Sequence, residues 1–279
     1  MNEKRFVRVK NKSHFFWAEK TSDCLEILSR APWMADSKKT GEVIEKTSWG
    51  DLEYQPCAEP TKIIAFGYNY KDLFKDKAAR VCTDEPHYSD KEFEPVIFLK
   101  APNALSPHLG QVAISEKLSE VWVEVELALV IGRQSKNIKN ESEAREALFG
   151  YTVANDISAL NIYGRDWHLA RSKSIDGFCP IGPELVQGLD FEDKVLSLSI
   201  NGNKTQNSRT SNRVLNSLQS LIFVSQFMTL EPGDVILTGT PLGARQSLVK
   251  PGDTVEATIE GLGTLNTRFV SDRRDLENV

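Results

Sequence analysis

At 279 residues the chain is long enough to bury a large core, and its 40% apolar and 26% charged residues match a soluble globular protein. A net charge of -5 with no long Lys/Arg run excludes the electrostatic footprint of a nucleic-acid binder. The N-terminus has no continuous apolar h-region, no stretch reaches the length of a membrane span, and Cys24, Cys57, Cys82 and Cys179 form no CxxC pair. A cytoplasmic protein without membrane contact and without a cysteine-built zinc site is the expectation.

Residues 1–58 read as a small β subdomain, with short strands at Phe6–Val9, Phe15–Ala18, Leu25–Leu28 and Gly41–Ile44 broken by turn residues. Pro56 and Glu59-Pro60 mark a boundary, and 59–279 is read as the larger, catalytic domain. Ile63–Gly67 is a compact apolar strand that runs into Tyr68-Asn69-Tyr70. From Leu73 to Glu94 the chain turns polar and charged, the composition of a lid or of a solvated insertion. Val96–Leu99 is the next strand.

Val121 to Gly132, VWVEVELALVIG, organises the rest. As one strand it puts Val121, Val123, Val125, Leu127, Leu129 and Ile131 on one face. The other face carries Trp122, Glu124, Glu126, Ala128 and Val130. Two carboxylates roughly 7 Å apart among apolar neighbours either take up a proton or bind a cation. The competing reading is an amphipathic strand whose glutamates face water.

A helix is predicted over Ser142 to Phe149, closed by Gly150, and a short strand ends on Asp156. Leu196–Ile200 with Asn201-Gly202 signals a hairpin, and Val214 to Leu230 has the spacing of a buried-face helix. Pro232-Gly233-Asp234 and Pro251-Gly252-Asp253 are matching turns that each open a strand, and Gly261–Gly263 turns the last hairpin. Glu124, Glu126 and Asp156 together make an all-oxygen donor set suited to Mg²⁺, Mn²⁺ or Ca²⁺.

In this order the motifs resemble the fumarylacetoacetate hydrolase family. The residues that carry the likeness are Gly67-Tyr68-Asn69-Tyr70, Phe98-Leu99-Lys100, the Glu-Val-Glu-Leu at 124–127 and Gly150–Asp156. Lys173-Ser174 with Phe178–Pro183, and Gly233–Pro241, complete it over about residues 60 to 270. The resemblance implies an α+β, β-rich fold, a mixed β-roll core behind the small N-terminal subdomain, usually paired as a homodimer. It implies a divalent cation, Mg²⁺ or Mn²⁺, on Glu124, Glu126 and Asp156. It also implies that Lys173 faces a small oxo-acid substrate and that Thr240, with Tyr70 and Gly239 beside it, helps to hold that substrate. A metal chelated by a 2-oxo or 1,3-dioxo acid stabilises an enolate as a Lewis acid, and Lys173 adds a second positive charge.

Two departures from the family pattern bear on the reaction. The position of the family's water-activating His reads Leu73, and its acid partner reads Asp76. The substrate-gripping Arg and Gln positions read Leu160 and Tyr163, with Arg165-Asp166 nearby. Asp76 and His87 are the lid candidates for a replacement base. Three readings follow: C–C hydrolysis or decarboxylation of an oxo acid; isomerisation or tautomerisation of one, which needs metal but no activated water; and a non-enzymatic metal- or ligand-binding relative.

Overall fold

The structure of the protein, a computed structural model, describes residues 3–75, 95–160 and 166–272. The N-terminal segment is a meander of β1 (Lys4–Asn11), β2 (His14–Lys20), β3 (Cys24–Leu28) and β4 (Lys39–Glu45), with β5 (Glu53–Gln55) returning along β1. β6 (Ile63–Gly67) leads into α1 (Lys71–Lys75), and β7 (Val96–Lys100) pairs back on β6. β8 (Leu105–Pro107), β9 (Gly110–Ile114), β10 (Val121–Trp122) and β11 (Val125–Ile131) follow, then α2 (Glu141–Ala147), β12 (Leu148–Asn155) and β13 (Ser158–Ala159). The remainder is α3 (Ala170–Lys173), β14 (Cys179–Gln187), β15 (Val195–Ile200), β16 (Asn203–Arg209), α4 (Ser217–Phe227), β17 (Val235–Leu237), β18 (Thr254–Ile259) and β19 (Gly263–Ser271).

One long sheet runs β4-β3-β2-β1-β14-β12-β11-β17-β6-β7, with β5 on β1 and β8 on β14. A second sheet runs β16-β15-β18-β19-β9. The N-terminal strands extend the long sheet through β1 on β14, where Phe6 faces Leu185. They also keep a cluster of their own around Val7, Val9, Ala18, Leu25 and Ile27.

β11 lies mid-sheet between β12 and β17, and all of its residues are buried. Leu127, Leu129 and Ile131 enter one core with Ala257, Ile259 and Phe269 of the second sheet and Leu221 and Val224 of α4. Ala128 and Val130 enter another core with Phe6, Ile63, Ala65 and Ile181. Each fully buried Val, Leu or Ile contributes about 1.5–3 kcal/mol, so a strand covered on both faces is pinned in register. The amphipathic reading with a wet face is therefore overturned.

The expected continuous strand is also broken, at Val123 and Glu124 between β10 and β11. α2 stops at Ala147, and β12 has already begun at Leu148. Gly150 is thus a strand residue, not a helix stop. A Cβ there would meet the Val186 carbonyl oxygen of β14 at 2.5 Å. α4 is shorter than the spacing predicts, because Asn216 and Gln219 form a capping box that sets its start. The Asn201-Gly202 hairpin forms as expected, both residues having positive φ. So do the twin Pro-Gly-Asp turns: Asp234 and Asp253 each accept from the amide three residues back, both at 2.8 Å.

Candidate metal and active site

The break before β11 builds the site. β10 leaves to pair with β13, so the amides of the crossing residues lose their ladder partners. Val123 N–H donates to Ser247 O (3.0 Å), Glu124 N–H to Asn155 Oδ1 (3.0 Å) and Val125 N–H to Gln206 Oε1 (3.0 Å). Asp156 N–H donates to Glu124 O at 2.9 Å, which ties the two ligand-bearing segments together. Oxygens of Glu124, Glu126 and Asp156 then lie within 4.8 Å of one another, closer than the roughly 7 Å of an unbroken strand face.

Each carboxylate has its own set of donors, with Lys173 shared between Glu124 and Asp156. Glu126, 1% exposed, accepts from Gly239 N–H at 2.6 Å. Gly239 sits at φ 91, with Asn69 Cβ and Phe66 O so close that a side chain has no room. Glu124 accepts from the Trp122 indole (3.1 Å) through Oε1 and from Lys173 Nζ (3.0 Å) through Oε2. Asp156, fully buried, takes Lys100 Nζ on Oδ1 and Lys173 Nζ on Oδ2, both at 2.6 Å. Lys100 Nζ also donates to Ile157 O (3.0 Å), and Lys173 Nζ lies 4.7 Å from the Phe98 ring centroid.

Burial pushes the Glu126 carboxyl well above the usual range, and the charges of Asp156 and Glu124 add to it. Burial likewise raises Glu124, opposed by Lys173 and supported by Asp156. For Asp156 burial also acts upward, but Lys100 and Lys173 outweigh it and its carboxyl falls below the ordinary value. Burial acts against the Lys173 ammonium, and Asp156 and Glu124 overcome that, so its proton is held more tightly than usual. A divalent cation fits this donor set: three oxygen ligands converge, and Glu126 carries a repulsion that a cation relieves.

Residues 62–270 match the family model described as fumarylacetoacetate (FAA) hydrolase C-terminal. The chain belongs to the fumarylacetoacetate hydrolase family. A protein of Methanocaldococcus jannaschii, uncharacterised, is 39% identical over 214 residues, 77% of this chain and 84% of that one. The mitochondrial oxaloacetate tautomerase fahd2 of Xenopus laevis is 36% identical over 230 residues, 77% of this chain and 67% of that one. Among solved structures, the 5-carboxymethyl-2-hydroxymuconate delta-isomerase of Mycobacterium smegmatis superposes with a TM-score of 0.82 at 31% identity, covering 96% of this chain and 100% of that one. The β-rich fold expected from the family likeness is the one found.

The remaining residues singled out from the sequence fall in different places. Tyr70 is fully buried in the core, its backbone bridges Arg213, and its hydroxyl has no hydrogen-bond partner among the described residues. Burial drives that phenol upward, with the Arg213 charge opposing. Thr240, half-buried, donates to Val125 O (3.1 Å) and accepts from Gln206 Nε2 (2.9 Å). Leu73 packs against the main core. Leu160 is 45% exposed. Asp166 accepts from the amides of Arg171 (3.0 Å) and Ser172 (2.6 Å), so it braces the turn that delivers Lys173. Asp76, His87, Tyr163, Arg165 and most of the Leu73–Glu94 segment lie outside the described residues.

Lys100, Trp122, Asn155 and Gln206 were not singled out as site residues. Lys100 left a readable trace, a lone cation closing the apolar run Val-Ile-Phe-Leu of β7. The others have no local pattern that marks them.

Proposed function

We propose that the protein is a divalent-metal-dependent isomerase or tautomerase of small 2-oxo acids, shifting a proton rather than cleaving a C–C bond. One observation carries this reading. Lys173 stands ammonium-first at Glu124 and Asp156, while the position of the family's water-activating His is Leu73, packed against the core. An apolar side chain cannot take a proton from water. Mg²⁺ or Mn²⁺ on Glu124, Glu126 and Asp156 would supply Lewis-acid polarisation of the keto oxygen.

Lys173 supplies the second positive charge at the site. Lys173, kept protonated by two carboxylates, presents N–H to an oxygen that gains charge when an enolate forms. It acts as a donor and fixed charge, not as the base. Relatives named for a tautomerase and for a hydroxymuconate isomerase support a proton shift on an oxo acid.

Ultraviolet absorbance distinguishes the reactions directly. Enol oxaloacetate, hydroxymuconate-type dienes and acylpyruvates are supplied with Mg²⁺, Mn²⁺ or EDTA. We expect metal-dependent enol–keto or double-bond conversion that Lys173→Met lowers about 10²–10³-fold, the cost of removing a donor aimed at developing charge. Acylpyruvate cleavage that outruns these conversions would overturn the proposal.

A further inference from the structure

Gln206 lies on β16 of the second sheet, 34 residues before Thr240 and 81 after Val125, and is 1% exposed. Its side-chain amide makes three hydrogen bonds that meet at the site. Oε1 accepts from Val125 N–H (3.0 Å), while Nε2 donates to Pro241 O (2.9 Å) and to Thr240 Oγ1 (2.9 Å). Two of these partners fix the amide's orientation. A backbone N–H can only donate and a proline carbonyl can only accept, so oxygen must face Val125 and nitrogen must face Pro241.

That orientation settles the chemistry of Thr240. Its oxygen already accepts a hydrogen bond from Gln206, and its own hydrogen goes to Val125 O at 3.1 Å. A hydroxyl that accepts on one side is polarised into a better donor on the other. The hydrogen has two destinations, the Val125 carbonyl or an anion arriving in front of the loop. Val125 is the residue before Glu126, so the same carbonyl belongs to the strand that carries a metal ligand.

We propose that Gln206 is a positioning residue that commits the Thr240 hydroxyl to donate to the ligand's carboxylate, while its oxygen holds the strand bearing Glu126. The inference rests on the proposed function for the role of Thr240. It assigns to Gln206 a part in ligand affinity, beyond a part in folding.

The test is calorimetric, with Mn²⁺ titrated first and oxalate second, in the wild type, Thr240→Val, Gln206→Met, Gln206→Glu and the Thr240→Val/Gln206→Met pair. Thr240→Val and Gln206→Met are each expected to weaken oxalate about tenfold, the worth of one hydrogen bond. The double variant should be no weaker than the singles, because both remove the same donor. Gln206→Glu keeps an acceptor for Val125 and loses donors to Thr240 and Pro241. It should hold Mn²⁺ within about threefold of wild type while losing oxalate about tenfold, so the inference survives if Gln206→Met does not fold. Penalties that add in the double variant, or wild-type oxalate affinity in both Gln206 variants, overturn the inference alone. Failure of the wild type to bind oxalate with Mn²⁺ overturns it together with the functional reading.

Discussion

Lys100→Met is the most informative single perturbation of the site. The Lys100 side chain is fully buried, and its ammonium meets Asp156 Oδ1 at 2.6 Å. It is the largest of the influences that pull the Asp156 carboxyl down against its own burial. Methionine matches the length and apolar stem, so the change isolates the charge. Three carboxylates, Glu124, Glu126 and Asp156, then face Lys173 alone instead of two ammoniums. Breaking a buried pair on one side costs about 3–5 kcal/mol, which for a chain of this size lowers Tm by on the order of 10 °C. A dication should replace the missing charge. Thermal melts of wild type and variant in EDTA and in excess Mn²⁺ are expected to show a large gap in EDTA that narrows with metal. Equal melting temperatures in EDTA would refute the claim that Lys100 balances the carboxylates, and a gap that Mn²⁺ leaves unchanged would refute the claim that all three face one cation.

The twin turns offer a matched comparison. Asp234 is fully buried and accepts from Thr61 N (3.0 Å), Thr61 Oγ1 (2.8 Å), Lys62 N (3.1 Å) and Glu231 N (2.8 Å) besides pairing with the Lys62 ammonium, whereas Asp253 accepts from Lys250 N and Asn201 Nδ2. Asp234→Ala should therefore cost upwards of about 4 kcal/mol and Asp253→Ala only about 1–2, read by urea unfolding; equal costs would show that the strand clamp contributes nothing. His108 gives a pH prediction: burial, with Lys20 adding and Glu184 opposing, lowers its imidazole to about 4, and its Nδ1 accepts from Asn266 N–H at 3.1 Å. Because the folded value lies below the unfolded one, the unfolded chain binds the extra proton, and stability should fall as pH drops from about 6.5 toward 4. Melts across that range should be flatter for His108→Asn, whose side-chain oxygen still accepts from Asn266; an unchanged slope would remove His108 as the cause.

Elements with a strong local period were legible before the structure, and those fixed by distant partners were not. The expected ends of the first four N-terminal strands lie within two residues of those observed, because turn residues bracket each apolar run. The Asn201-Gly202 hairpin and the Pro-Gly-Asp turns carry their backbone conformation in their residue types. Gly150 misled because glycine after a helical run usually ends the helix, whereas here it admits the Val186 carbonyl of β14. The break at Val123–Glu124 was invisible for a related reason. Period-two alternation continues across it, with Val121, Val123 and Val125 all in the main core. What breaks the strand is the capture of its amides by Ser247, Asn155 and Gln206, each far away in sequence.

The same division runs through the site. Carboxylates announce themselves, because two glutamates on an apolar strand demand an explanation. Their counter-charges do not, since a lysine reads as surface until its neighbours are known. Lys100 and Lys173 together set two ammoniums against the three carboxylates, and Trp122 and Gly239 add neutral donors to Glu124 and Glu126. A site balanced in this way does not need an ion in order to fold, unlike one whose ligands would stand uncompensated without it. The cost of gathering the carboxylates is met by the chain's own cations. On the proposed function, the affinity of a metal for this centre would reflect how far Lys173 and Lys100 yield, so the lysine proposed to face the developing enolate would also set how tightly the metal is held.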